Sequence, residues 1–154
     1  MLGLSLTGGG ARGAYQAGAV KGIAEILAGA GAENNPFSYY AGISAGAINA
    51  SFCAASTQNF GATACALYDL WADIEPEQIY RTDAVSLGRI GFGWLRDVSL
   101  GAFVKRKLAK ELLDASPLRE LLSNHIEFGN IQGRIEAGDL RGFTCSALGY
   151  EEQK

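Results

Sequence analysis

Residues 40–47 read Tyr40-Ala41-Gly42-Ile43-Ser44-Ala45-Gly46-Ala47. One serine stands between two glycines, after a short β-like run and before a long run of small residues. A Gly-x-Ser-x-Gly pattern between a strand and a helix is typical of a nucleophile elbow, where the serine occupies the apex of a sharp turn. A Cβ at Gly42 or Gly46 would crowd the neighbouring strand and helix. We therefore predict that Ser44 is a nucleophile whose Oγ points into a cleft.

The same pattern also fits a simpler interpretation, because serine is a common N-cap residue at the start of a helix. In either case the first turn of the helix after Ser44 carries N–H groups without intrahelical partners and a partial positive charge. Such a helix end suits an oxyanion. The interpretation of Ser44 therefore depends on what the fold places beside it.

A second glycine-rich stretch lies upstream. Leu2, Leu4 and Leu6 alternate with small or polar residues, which indicates a first strand. The strand leads into Gly8-Gly9-Gly10-Ala11-Arg12-Gly13. The spacing fits a dinucleotide-binding fingerprint, which also needs an acidic residue at the end of the second strand. The Ser44 turn occupies that position instead, and Glu33 falls in the loop before the strand.

Two other interpretations of this glycine stretch remain open. It is either a glycine-rich turn without a function, or a backbone nest whose N–H groups face Ser44 and hold a developing oxyanion. In the second case Arg12 would orient the loop or meet a phosphate head group.

The chain's bulk properties bound its class. Its 154 residues, 48% apolar and 19% charged, predict one globular domain over residues 1–154. A net charge of −3 gives a nucleic-acid partner no electrostatic support. We see no signal peptide or transmembrane segment, so we expect a cytoplasmic or peripheral membrane protein. The odd set Cys53, Cys65 and Cys145 lacks metal-like spacing, and we interpret all three as small buried residues.

The remaining elements follow from hydrophobic periodicity and helix-end signals. Helices are predicted over 13–28, from Ser44 onward, over 59–74, from Ser116 and over 126–137, and further strands over 37–41 and 143–150. A strand–helix–strand unit crosses over to a parallel neighbour, so the first two strands should be parallel. Residues 79–96 are interpreted as irregular structure or a flap.

An apolar stretch lies beside basic residues between residues 89 and 107. It suggests either a lid or peripheral membrane contact, or else a loop covering the core followed by a solvated helix. The apolar members are Ile90, Phe92, Trp94, Leu95, Leu100 and Phe103, and the basic members are Arg89, Arg96, Lys105, Arg106 and Lys107.

A serine nucleophile needs a base. The only histidine, His125, has no carboxylate partner motif around it, and we interpret it as a surface or helix-end residue. A carboxylate could take the proton directly, because a dry site raises the pKa of an aspartate.

The sequence closely resembles the patatin-like phospholipase family from Met1 to about Tyr150. The resemblance rests on the two glycine motifs, with Ala47 and Asn49 after the second, and on the later Asp114-Ala115-Ser116-Pro117-Leu118-Arg119. The resemblance implies a three-layer α/β/α fold with a mostly parallel sheet. It implies hydrolysis of phospholipids or other acyl esters by a Ser-Asp dyad, without metal or cofactor. Carried over by motif, the nucleophile is Ser44, and the oxyanion loop consists of Gly8, Gly9, Gly10, Arg12 and Gly13.

One departure from the family pattern concerns the base. The family's catalytic aspartate belongs to an Asp-Gly motif, and this sequence has no Asp-Gly pair. Asp139 is interpreted as a turn residue rather than a substitute. We therefore expect these residues to be the N-terminal portion of the domain, truncated before its last strands and inactive without the missing segment. The alternative is a catalytically inactive lipid- or partner-binding module of the same fold.

Overall fold

The computed structural model describes residues 1–32, 34–79 and 116–146. The strands are β1 (Leu2–Leu6), β2 (Phe37–Ile43) and β3 (Gly142–Ser146). The helices are α1 (Gly13–Gly29), α2 (Ala45–Ala55), α3 (Phe60–Asp73), α4 (Pro76–Ile79), α5 (Ser116–His125) and α6 (Gly129–Ala137), and a 3₁₀ turn (Gly10–Arg12) precedes α1.

The chain divides into two compact units, Met1–Asp73 with Ser123–Lys154, and Ile74–Leu122. The second unit contains α4 and most of α5, in which Leu121 is buried. The sheet and the residues around Ser44 belong to the first unit. The one-domain interpretation stays a prediction.

Within its described residues, the first unit is built on a parallel sheet of three strands in the order β1-β2-β3. Leu6 lies opposite Gly42, and Gly42 lies opposite Cys145 on the other side. This confirms the predicted parallel pairing and the α/β class. Because parallel strands end at the same edge, the loop after β1 and the turn after β2 lie side by side. The glycine stretch and Ser44 follow those two strands.

Helix α2 is the centre of the unit, because it contacts all three strands and also α1, α3 and α6. Its buried residues are mostly small, which lets the helix backbone lie close to the sheet. In α1 the buried residues Ala17, Val20 and Ala24 recur every three or four positions, as an amphipathic helix requires. Each fully buried Val or Leu side chain stabilises such a core by about 1.5–3 kcal/mol. The core cluster comprises Leu6, Ala17, Val20, Ala24, Tyr40, Ala50, Cys53, Ala54, Phe60, Ala64, Leu67 and Leu140.

Two element boundaries differ by two or more residues from the sequence-based prediction, and the short helix α4 was not predicted, so Ile79 is helical instead of irregular. β2 continues through Gly42 to Ile43 instead of ending at Ala41. Glycine suggested a turn there, but Gly42 is paired with strands on both sides. α6 begins at Gly129, three residues later than predicted, after a turn in which Phe128 N–H donates to Ile126 O at 3.0 Å.

The prediction that all three cysteines are buried was wrong for two of them. Cys53 is buried, whereas Cys65 and Cys145 are exposed. Cys65 lies in α3 between buried positions Ala64 and Leu67, and its side chain falls on the outer face of that helix.

Several predictions lie outside the described residues. They are the irregular segment or flap predicted over 79–96 apart from Ile79, the apolar and basic stretch over 89–107, Glu33, and the end of the last predicted strand over 147–150. Among the helices that the structure describes, none is long and apolar enough to cross a membrane.

Candidate active site

Ser44 sits at the junction between β2 and α2 in a strained backbone conformation. Its φ is 56° and its ψ is −125°, and it is the one non-glycine residue with positive φ in the described part of the chain. Such a conformation costs of order 1–3 kcal/mol and persists only where the surrounding structure imposes it. Ser44 is exposed, and although it occupies the N-cap position its side chain makes no capping hydrogen bond. The simpler interpretation of Ser44 as a helix cap is therefore wrong.

The two glycines that flank Ser44 are required by close backbone packing. A Cβ on Gly42 would lie 2.5 Å from Ala47 Cα, and a Cβ on Gly46 would lie 2.6 Å from Thr7 O. Real Cβ atoms do not approach other atoms below 3.0 Å. The turn can therefore form only because the residues at these two positions have no Cβ, which lets the backbones of β2, α2 and the end of β1 pack in contact.

The glycine loop that follows β1 (Thr7–Gly13) lies directly beside Ser44. A Cβ on Gly8 would be 3.3 Å from Ser44 Cβ and 3.5 Å from Ile43 O. Within the loop, Arg12 N–H donates to Gly9 O at 3.1 Å, and Gly10 has a φ of 56°. Gly8, Gly9, Gly10 and Arg12 are exposed, whereas Gly13 is buried. A group that approaches Ser44 from this side would therefore contact the backbone of the glycine loop.

The start of α2 adds a second source of favourable electrostatics. The first hydrogen bonds of the helix run from Ala47 N–H and Ile48 N–H to Ser44 O, at 2.8 and 3.3 Å. The N–H groups of the first turn and the helix dipole together place partial positive charge beside Ser44. A negative charge developing on a substrate oxygen there would be stabilised.

Comparison with known proteins identifies the family. The family model described as patatin-like phospholipase matches residues 4–148, which is most of the chain. The chain belongs to the patatin-like phospholipase family. Membership points to a lipid acyl hydrolase activity and a lipid substrate. No curated protein and no solved structure matched the chain.

The only histidine of this patatin-like chain, His125, lies far from Ser44. His125 lines a pocket of about 170 Å³ together with Phe52, Ala55 and Ser56, which belong to the C-terminal end of α2 or follow it. Ser44 precedes the N-terminal end of the same helix. An eleven-residue helix is about 16 Å long, so His125 is out of reach of Ser44 Oγ.

The aspartate considered as a substitute base is also poorly placed in this family member. Asp139 is exposed and precedes β3, so it lies at the amino edge of the parallel sheet, whereas Ser44 lies at the carboxyl edge. Across residues 1–32, 34–79 and 116–146, no carboxylate makes a hydrogen bond to Ser44.

Three residues form a hydrogen-bonded group that the sequence did not predict. Asn49 is fully buried in α2 and is hydrogen-bonded to Trp71 from α3 and Gln16 from α1. The signal that could have drawn attention to them is a polar amide, Asn49, within the small and apolar sequence of α2. Its partners could not be inferred, because they come from two other helices.

Proposed function

We propose that Ser44 is the nucleophile of a phospholipase A or lipid esterase reaction. The observation that carries the proposal is the strained, exposed Ser44, with an Oγ that makes no capping bond, beside the backbone of Gly8. The proposed oxyanion hole consists of N–H groups from the loop of Gly8, Gly9, Gly10, Arg12 and Gly13, with the start of α2. The proposed base is an aspartate outside these 154 residues, because the chain holds no Asp-Gly pair.

The reaction follows from this arrangement. Ser44 Oγ attacks the acyl carbonyl carbon while the aspartate takes the serine proton, and the carbonyl oxygen becomes an oxyanion held by the loop N–H groups. The tetrahedral intermediate collapses, the ester C–O bond breaks, and the leaving alkoxide recovers the proton from the aspartate. Water, deprotonated by the same aspartate, then attacks the acyl-serine ester. The bond to Ser44 Oγ breaks, Ser44 Oγ recovers the proton from the aspartate, and the fatty acid is released.

Substitution of the proposed nucleophile tests this mechanism. In the complete product of the gene, Ser44→Ala should lower the hydrolysis of p-nitrophenyl butyrate and of a phospholipid by at least about 10³-fold. Ser56→Ala is the matched control, because Ser56 lies beyond the other end of α2 and its Oγ bonds Thr63 Oγ1 at 2.7 Å. The control should keep the wild-type rate. Hydrolysis that survives Ser44→Ala would refute the assignment.

The same assay tests the proposed origin of the base. The 154-residue chain alone should hydrolyse both substrates at the background rate. Rapid hydrolysis by this chain, abolished by Ser44→Ala, would contradict a base outside it.

The competing proposal is a catalytically inactive binding module of the same fold, which the absence of an Asp-Gly pair favours. It expects the complete gene product to bind lipid vesicles without releasing fatty acid. Fatty-acid release that depends on Ser44 excludes it.

A further inference from the structure

A chain of hydrogen bonds, half-buried between the helices and exposed at its last bond, crosses three helices and ends at the glycine loop. Trp71 Nε1–H in α3 donates to Asn49 Oδ1 at 2.6 Å. Asn49 Nδ2 in α2 donates to Gln16 Oε1 in α1 at 3.1 Å. Gln16 Nε2 then donates to Thr7 O at 2.8 Å, and Thr7 is the residue between β1 and Gly8.

The same amide also holds the other end of the loop. Asn49 Nδ2 donates to Gly13 O at 3.0 Å. A Cβ on Gly13 would overlap Trp71 Cζ2 and lie 2.5 Å from Trp71 Cη2 and 3.1 Å from Ala45 Cβ, so Gly13 is packed directly against α3 and α2. Thr7 and Gly13 bound the loop that lies beside Ser44. Both of its ends are therefore tied, directly or through Gln16, to a side chain of the helix that Ser44 begins.

Chemistry fixes the orientation of each group in this network. The Trp71 indole N–H is only a donor and the Gly13 carbonyl is only an acceptor, so Asn49 needs its oxygen on one side and its NH₂ group on the other. An aspartate would place an oxygen against Gly13 O, and a leucine would bond neither group. Gln16 meets the same demand, because its oxygen faces Asn49 and its NH₂ group faces Thr7 O.

We propose that Asn49 and Gln16 are positioning residues that hold the loop's N–H groups at the correct distance from Ser44 for oxyanion stabilisation. The inference rests on the proposed function, since it assigns these residues to the same reaction. Hydrogen-bond donors of an oxyanion hole act only when they are held in place before the charge develops. A displacement of about 1 Å at a reacting centre lowers the rate by up to about 10²-fold.

Gln16 offers the sharper test, because it is only half-buried and its substitution leaves the core intact. In the complete gene product, Gln16→Met should lower kcat for p-nitrophenyl butyrate roughly 10-fold to 100-fold and change KM by less than about twofold. Gln16→Glu has the same length but cannot donate to Thr7 O, and it should lower kcat by a similar factor. Gln132→Met is the matched control, since Gln132 bonds only Glu136 on the surface of α6 among the described residues.

Hydrogen exchange of the loop gives a readout that does not depend on hydrolysis. Peptides covering Thr7–Gly13 should exchange their amide protons faster in Gln16→Met than in wild type, while peptides from the rest of α1 should be unchanged. If wild type hydrolyses nothing, the proposed function fails, and the exchange result alone decides whether Gln16 positions the loop.

Two results would overturn the inference. One is a kcat within twofold of wild type for both Gln16 variants. The other is a thermal midpoint that falls together with kcat in Gln16→Met, with accelerated exchange throughout α1, because that would assign Gln16 to general stability instead of the position of the loop.

Discussion

The two ends of α2 differ in whether a side chain hydrogen-bonds their backbone groups. At its N-terminal end the Ser44 side chain does not cap the helix, and the residue is exposed and strained. At its C-terminal end Arg134 Nη1 donates to Cys53 O at 3.1 Å and to Ala54 O at 2.9 Å. Carbonyls that α2 cannot satisfy internally are thus bonded by a cation from α6.

The contrast follows the electrostatics of a helix. A cation near the last carbonyls is typically worth 0.3–1 kcal/mol, and an anion is favoured in the same way near the first N–H groups. An N-cap side chain would contribute about 1 kcal/mol more at the open end, and α2 forgoes that contribution. Its N-terminal end is left without a side-chain cap, as the proposed function requires, whereas its C-terminal end is bonded by Arg134.

The largest expected effect comes from filling the space at the open end. Gly46→Ala would force a Cβ into the backbone of Leu6 and Thr7, so the free energy of unfolding should fall by about 3 kcal/mol and Ser44-dependent hydrolysis should disappear. Urea denaturation and the esterase assay measure the two effects.

Gly18→Ala in α1 is the control for that change, because a Cβ there meets no atom within 4 Å. It should leave stability unchanged or raise it by about 0.5–1 kcal/mol, since alanine is the better residue inside a helix. Equal stability of the two variants would mean that the close packing at Gly46 is not needed.

A smaller effect is expected at the closed end. Arg134→Met keeps the aliphatic stem but removes the donors to Cys53 O and Ala54 O, and we expect a loss of about 1–3 kcal/mol in stability with hydrolysis per folded molecule unchanged. Arg141→Met is the matched control, because that side chain is exposed, and its effect should stay within about 0.5 kcal/mol. If Arg134→Met lost activity without losing stability, the C-terminal end of α2 would not serve stability alone, and the contrast between the two ends would be wrong.

The smallest effect depends on pH. Burial raises the pKa of the Cys53 thiol from 9.0 to about 12, partly offset by the charge of Arg134. An unfolded chain therefore releases this proton from about pH 9, while the folded chain retains it. The contribution of Cys53 to stability is therefore fully present below pH 9. Above pH 9 the free energy of unfolding should fall by roughly 1.4 kcal/mol per pH unit.

Urea denaturation between pH 8 and pH 10 measures this slope. Cys53→Ala should remove the Cys53 contribution at the cost of a small cavity, which lowers stability equally at every pH. Tyr40, whose pKa burial also raises to about 12, contributes only above its ordinary value of 10.0. A wild-type slope identical to that of Cys53→Ala would contradict the raised pKa.

The sequence predicted much of this arrangement, because the decisive signals are local. Leu2, Leu4 and Leu6 predicted β1, and the spacing of Gly42, Ser44 and Gly46 predicted the strand-to-helix turn that the structure confirms. Parallel pairing of β1 with β2 then placed the two glycine motifs at one edge of the sheet.

What could not be predicted depends on residues far apart in the sequence. Arg134 reaches the C-terminal end of α2 from a different helix, and Asn49 draws partners from α1 and α3. Hydrophobic periodicity identifies which face of a helix is buried but not which neighbour it meets. The continuation of β2 through Gly42 was missed for another reason: glycine was interpreted by its turn propensity, and pairing with both neighbouring strands overrode that propensity.

The contact between Gly46 and the end of β1 also has a consequence for the order of folding. It joins segments that are far apart in the chain, and such contacts form late because closing the intervening loop costs conformational entropy. The strained backbone of Ser44 cannot be held until α2 has docked against β1 and β2. We therefore expect Ser44 to adopt its positive φ only once the sheet has assembled.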